Sequence, residues 1–359
     1  MIRWRTGVVR ALGESWPGAQ VLTVEIDGEG EASALAYAHV VGSPEVGDRV
    51  LLNTSALSMG LGTGGYAMVV ALPDRLPADE PSGPGHLVKA RYTPLQAIVL
   101  GVDEPDSPSH EALRDADDLG GMPVVVADLH SALPAVVAGA RLSAPEARVA
   151  YVMTDGGALP MWFSRSLAAL RDAGWLDGVV TVGQAFGGDA EAVTVHTGLL
   201  AARHVLRADV TVVAQGPGNL GSGTRWGFSG VACGEAVNAA VILGGRCVAS
   251  LRISEADRRE RHHGVSHHSL TAYGRVALAS ADVVVPELQG ELATKIQTQV
   301  AQLSRHHVVT VPVHGLLDAL RKAPVTLSTM GRGLDDDVAY FLAAAAAGRH
   351  AAALLRHDS

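Results

Sequence analysis

Nine short apolar runs recur between Ala97 and Met330: AIVLGV, MPVVVADL, RVAYVM, GVVTVG, DVTVVAQ, CVASLRI, DVVVPEL, HVVTVPV and VTLSTM. Amphipathic or Ala-rich segments separate them. The runs are rich in Val and show little polar alternation, which fits strands covered on both faces, as in a parallel sheet. Their alternation with helical segments implies right-handed βαβ units. The expected architecture is a doubly wound, mainly parallel α/β domain, in one lobe or two; a (β/α)8 barrel is the alternative that satisfies the same count. In both, ligands meet the carboxyl ends of the strands, so the residues just after each run are the ones to inspect.

The first part of the chain has a different grammar. From Thr6 to Leu72, the runs GVVRAL, VLTVEI, ALAYAHV, DRVLLN and YAMVVAL are separated by turn signals such as Asp27-Gly28. Closely spaced short strands with such turns predict a small β-barrel or closed meander. The tract PDRLPADEPSGPGH, residues 73–86, lacks periodicity and reads as a linker. The expected division is a barrel-like domain with its linker at 1–85 and an α/β domain carrying the site at 86–359.

Composition narrows the partners. A formal charge of −9 argues against nucleic acid and against an anionic membrane surface. Cys233 and Cys247 lack a CxxC spacing and read as buried thiols. The N-terminus has no apolar stretch of signal-peptide type, and FLAAAAAG at 341–348 is too short to span a bilayer. These features predict a cytoplasmic protein, with the Ala-rich segment as a terminal surface helix. A homo-oligomer is compatible with the sequence.

At the predicted strand ends, small and chemically competent residues gather: Asp128-Leu-His130-Ser131, Asp155-Gly-Gly, Gln184-Ala-Phe-Gly-Gly-Asp189, GPGNLGSGT at 216–224, His314, and Gly331-Arg332. GPGNLGSGT contains G-x-G-x-x-G directly after DVTVVAQ, with Ser229 placed to cap the helix that follows. Gly216, Gly218, Asn219, Gly221 and Thr224 would then present backbone amides and side chains to a phosphate. Pro217 removes one amide, and no acid lies about 20 residues on to hold a ribose, so a tight structural turn is the competing reading. Gly60-Leu-Gly62-Thr-Gly64-Gly65 leads into another strand and reads as a hairpin loop. Asp189 and Glu191 suit a helix start, Asp155 a turn or a ligand contact, and Asp335 to Asp337 a capping role.

The densest chemistry is DRRERHHGVSHHS, residues 257–269. His263 and His267 stand i, i+4, and with Asp257 they form a candidate divalent-metal set. Gly264 weakens a helix there, and Arg258, Arg259 and Arg261 would repel a cation. An anion reverses that argument: Arg258 and Arg261 would bind phosphate or carboxylate, while His263, His267 or His268 handles protons. A polar loop is the third reading.

LLNTSALSMGLGTGGYAMVV, GHLVKARYTPLQ, VMTDGGALP, GQAFGGDAEAV, GPGNLGSGT and RISEADRRERHHGVSHHS together resemble a bacterial family of chains of similar length, known only as a domain of unknown function. The resemblance brings no reaction, cofactor or catalytic residue with it. From the residues, the leading expectation is a hydrolase or transferase acting on a phosphorylated or nucleotide-like small molecule. Gly216, Gly218, Asn219, Gly221, Thr224, Arg258, Arg261, Asp155, Gln184 and Asp189 would bind this substrate; His263, His267, His268 and Asp257 would do the chemistry. One alternative is a metal-dependent hydrolase using His263, His267 and Asp257, with His130 or Asp155 joining. The other is a ligand-sensing or scaffold protein without catalysis. The implied partner is a small anionic molecule, and the implied cofactor a nucleotide or a divalent metal.

Overall fold

The computed structural model describes residues 2–62, 64–79 and 83–355, so residues 80–82 of the expected linker lie outside the described residues. Two compact units emerge, one comprising the chain up to Gly83 together with Trp162–Ala168, the other Pro84–Met161 with the chain from Ala169 onward.

The first unit is a closed barrel of β1 (Trp4–Trp16), β2 (Ala19–Ile26), β3 (Gly30–Tyr37), β4 (Arg49–Asn53) and β5 (Ala67–Ala71), ordered β1-β2-β3-β5-β4. Alternation builds it: Leu22, Val24 and Ile26 of β2 point into a core with Val9, Ala34, Ala36, Val50, Leu52, Ala67 and Val69. A second apolar cluster on this unit joins Ala19, Leu35 and Tyr37 to Trp16, Trp162 and Phe163.

The second unit opens with a hairpin, β6 (Leu87–Lys89) and β7 (Ala97–Val99), which pair only with each other. Its centre is an eight-stranded sheet of β8 (Pro123–Val126), β9 (Val149–Thr154), β10 (Gly178–Val182), β11 (Ala190–Ala192), β12 (Val210–Gln215), β13 (Arg246–Ser250), β16 (Asp282–Pro286) and β17 (His307–Val311). The order is β11-β10-β9-β12-β8-β13-β16-β17, with each neighbouring pair parallel. This is an open doubly wound sheet, so the (β/α)8 alternative is set aside. β8, β10 and β12 are buried along their whole length, the reason their sequences run apolar without alternation.

Three expectations change. AIVLGV supplies β7 of the β6–β7 hairpin and VTLSTM contributes to another, β18 (Ser328–Thr329) with β19 (Arg332–Gly333), so neither run supplies a strand of the main sheet. In their place the short β11 follows Asp189, so the segment expected to start a helix is a strand. The helix begins only at Val195, where Thr194 Oγ1 accepts a bond from Thr197 N.

Helices α1 (Leu133–Ser143), α2 (Val195–His204), α3 (Cys233–Ile242), α4 (His267–Thr271), α5 (Gly290–Val300), α6 (Leu316–Arg321) and α7 (Val338–Leu354) cover the sheet. The β8-to-β9 connection through α1 and the β12-to-β13 connection through α3 travel in opposite directions along the sheet. With right-handed crossovers, α1 and α3 therefore lie on opposite faces. β8 stands between β12 and β13, and its outgoing chain leaves toward a different face from theirs. A crevice must open at the carboxyl end of β8, and this is where an α/β sheet binds ligands.

The expected surface helix at the C-terminal end is instead core. α7 packs along α1 and on β8, β13 and β16, and Ala343, Ala345, Ala346, Ala347 and Ala351 are fully buried. Alanine on every side, rather than on one stripe, lets a helix approach neighbours all round. At the crossing with α1 even a methyl group is too large: a side chain at Gly139 would run into the Ala345 carbonyl, and one at Gly348 into that of Val136. No described helix is long and apolar enough to cross a membrane.

Candidate functional site

The crevice at the β8 terminus contains buried polar atoms left without a partner. Among the described residues, four such side-chain atoms have no hydrogen bond: Asp128 Oδ2, Gln215 Oε1, Arg252 Nη2 and His267 Nε2. Asp128 follows β8, Gln215 ends β12, Arg252 follows β13, and His267 opens α4. An unpaired buried polar group costs about 1–3 kcal/mol, so four of them at one switch point mark a site prepared for something else.

Arg252 is the centre of the arrangement. Its backbone is fixed by Ser269 Oγ, which accepts its N–H at 2.9 Å, and by Ser266 N, which donates to its carbonyl at 2.8 Å. The guanidinium, only 2% exposed, lies 3.5 Å from His268 Nδ1 through Nη1 and 3.6 Å from Asp257 Oδ2 through Nη2. His268 Nδ1 is also 3.9 Å from Asp128 Oδ2, and the His268 ring stacks flat on Phe228 with centroids 3.8 Å apart. Burial raises the Asp128 pKa against the opposing pull of Arg252.

Three imidazoles meet beside Arg252. His262, His267 and His268 offer ligand atoms that all lie within 4.8 Å of one another. His262 Nδ1 is tied to Ser266 Oγ at 2.7 Å, and the same hydroxyl oxygen caps α4 by accepting from His268 N. Burial first, and the Arg252 charge second, push His262 down to about 3 and His268 to about 2. His267 is lowered by burial and by Arg261 and Arg252. All three rings are therefore neutral at physiological pH, available as bases or as ligands.

A pocket of about 150 Å³ opens onto this group, lined by Arg252, Arg259, Arg261, His262 and His268 together with Asn219, Gly221, Gly223 and Met330. The glycine loop is shaped by its own bonds. Gln215 Nε2 donates to Asn219 Oδ1 at 2.9 Å, Ser229 Oγ donates to the same oxygen at 3.2 Å, and Ser222 N donates to Gly227 O at 2.7 Å. Ser229 holds this loop by accepting from Leu220 N and does not cap a helix; α3 begins only at Cys233. The phosphate-loop geometry expected from the glycines is therefore absent, while Asn219 and Gly221 still reach the pocket.

The remaining expected residues divide clearly. Asp257 is buried and serves as a structural anion: Arg259 Nε and Nη2 grip it at 2.9 and 2.7 Å, Arg332 stands 3.6 Å away, and Arg259 above all holds its pKa well below the usual range. Its grip aims Arg259 and Arg252 at the pocket, and no oxygen is left over for a metal. His263 turns away from the other histidines, with Nδ1 3.1 Å from Lys295 Nζ, so the set His263, His267 and Asp257 does not assemble. Arg258 is exposed and outside the pocket lining, and the Thr224 hydroxyl accepts from Gly227 N. Gly216 and Gly218 belong to the loop but not to the pocket wall. Asp155 Oδ2 accepts from Gln184 N, and Gln184 Oε1 from Arg91 N, so this pair braces the β10 end. Asp189 accepts from Val179 N near the start of β10 and pairs with Arg171, at the amino end of that strand rather than the carboxyl end where the crevice opens. His314 is exposed, and His130 Nδ1 lies 3.1 Å from Tyr151 Oη. Sequence reasoning passed over Gln215, Arg252 and His262 as site residues; a charged Arg at the end of the apolar run CVASLRI was the available signal.

A family model described as "Protein of unknown function (DUF3866)" matches residues 33–348, nearly the whole chain, with β1 and β2 of the barrel outside the match. The chain belongs to that family. No match is found among curated proteins. The match covers the crevice residues from Asp128 to Met330, but it assigns them no role, so the chemistry rests on the geometry alone.

Proposed function

We propose that the chain is a cytoplasmic enzyme, a hydrolase or transferase, that binds the anionic group of a phosphorylated small molecule in the pocket at the β8 terminus. The observation that carries this reading is the buried Arg252 guanidinium, whose Nη2 has no hydrogen bond, in a pocket it shares with Arg259 and Arg261. Arg252 and Arg261 supply guanidinium forks suited to phosphate oxygens, and Arg259, already paired with Asp257, stands beside them. Asn219 and the backbone at Gly221 and Gly223 supply neutral contacts in the cavity.

The neutral imidazoles give this anion site its chemistry. Burial first, and the Arg252 charge after it, keep protons off His262 and His268. An arriving dianion offsets that charge and raises both pKa values, so an imidazole can take a proton from the attacking group when substrate is bound. Calorimetric titration with inorganic phosphate tests the reading. The wild-type chain should bind with an affinity that falls as salt rises, and Arg261→Ala should weaken binding roughly tenfold to a hundredfold, the loss of about 1.5–3 kcal/mol for a charge-assisted bond. Absence of phosphate binding, or equal binding by Arg261→Ala, overturns it.

A further inference from the structure

We propose that His262, His267 and His268 form a transition-metal site of the three-imidazole type, with zinc the best-matched ion. This goes beyond the anion reading and does not depend on it. The three rings come from a short turn (Glu260–His262) and the first two residues of α4, and their ligand atoms lie within 4.8 Å of one another. Tetrahedral nitrogens at about 2.1 Å from zinc stand about 3.4 Å apart, so ring rotations of roughly 1 Å close the set.

The hydrogen bonds already sort the ring nitrogens. His262 Nδ1 is engaged by Ser266 Oγ, which leaves Nε2 to ligate. His267 Nε2 is buried and has no partner. His268 Nδ1 is engaged by Arg252 Nη1 at 3.5 Å and lies 3.9 Å from Asp128 Oδ2, which again leaves Nε2 for the metal. A histidine that binds metal through one nitrogen donates the other N–H to a carboxylate, which fixes its tautomer and strengthens it as a ligand. Metal binding would require a proton on His268 Nδ1, and the acceptor waiting for it is the orphaned Asp128 Oδ2. One ion would thus give partners to two of the four unpaired atoms in the crevice. The competing contact, Arg252 Nη1 to His268 Nδ1, is at 3.5 Å, the outer limit of a bond.

Nearby arginines oppose a cation, but they do not stand alone. Arg259 is neutralised by its paired bonds to Asp257, and Arg252 lies between Asp257 and the Asp128–His268 pair. Three protein ligands leave a fourth position open, as in sites that bind water or substrate oxygen. His262 and His268 also line the arginine pocket, so that position would open onto it.

The test uses the full chain stripped by chelator, titrated with Zn(II) by calorimetry and with Co(II) by visible absorption. One equivalent should bind, Co(II) should show the intense bands of four-coordinate geometry, and X-ray absorption of the zinc form should count three imidazoles. His267→Ala should weaken binding at least a hundredfold, with folding checked by circular dichroism, while His263→Ala should bind as the wild type does. Sub-stoichiometric binding, a different imidazole count on the wild type, or loss on His263→Ala rather than His267→Ala overturns the proposal. Phosphate titration of the same chelated protein separates the two readings: phosphate bound without zinc removes only the metal site, and zinc bound without phosphate removes only the anion site.

Discussion

Acid should destabilise this fold well above the pH at which its carboxylates protonate, and one histidine substitution should remove a definite part of that loss. His262 and His268 are 2% and 7% exposed, and burial together with Arg252 sets their pKa values to about 3 and about 2. In the unfolded chain both return to about 6.5. The unfolded state therefore binds more protons wherever pH lies below 6.5 and above the folded values. Stability from the neutral rings is fully present above pH 6.5 and falls by about 1.4 kcal/mol per ring for each pH unit below it. Taken to pH 5, that is about 2 kcal/mol per ring and about 4 for the two, against the 5–15 kcal/mol typical of a domain. Urea titrations at pH 8 and pH 5 measure the difference. Wild type includes the same kind of contribution from His130, lowered to about 4 by burial, and opposing ones from Asp128 and Glu191, both raised by burial.

Comparison within a pair of proteins cancels those background groups. His268→Gln should show a drop between pH 8 and pH 5 about 2 kcal/mol smaller than wild type, whatever its absolute stability at pH 8. If the two drops are equal, His268 already carries a proton in the folded protein at pH 5. Burial and the Arg252 charge would then not hold the His268 ring neutral, and the anion reading would lose the neutral imidazole it assigns as base.

Two further outcomes follow from the same packing. Asp257→Asn leaves Arg259, Arg252 and Arg332 facing a neutral amide; breaking a buried ion pair from one side costs about 3–5 kcal/mol, and a melting temperature indistinguishable from wild type would show that Asp257 does not organise the arginines. Gly139→Val forces a branched side chain into the Ala345 carbonyl of α7 and should lower stability by about 1–3 kcal/mol or more by overpacking, whereas an unchanged urea midpoint would mean that α1 and α7 can separate freely.

Period and composition made most of the architecture readable. Val-rich runs with little alternation announced the parallel sheet, and closely spaced short strands punctuated by turn signals announced the barrel. Burial of α7 was not readable, because an Ala-rich helix has no polar face to betray which side meets water and none to mark it as surface. The site was half readable for a similar reason: strand ends name the rim, but strand order decides which ends are adjacent. The choice between His262 and His263 shows where the limit falls. Read as a continuous helix, residues 257–269 pair His263 with His267. The chain instead makes a short turn at Glu260–His262, extends through His263, pairs Gly264–Val265 (β15) with Ile253–Ser254 (β14), and restarts as helix at His267. Extended residues alternate sides, so His262 faces the crevice and His263 faces Lys295. That outcome depends on pairing Ile253 with Val265 and on Gln299 of α5 receiving the Val265 N–H at 2.7 Å, contacts between residues 12 and 34 positions apart. Local periodicity carries no information about either, so the identity of the third imidazole is a property of the tertiary fold, and the His263→Ala and His267→Ala pair is the experiment that separates the two geometries.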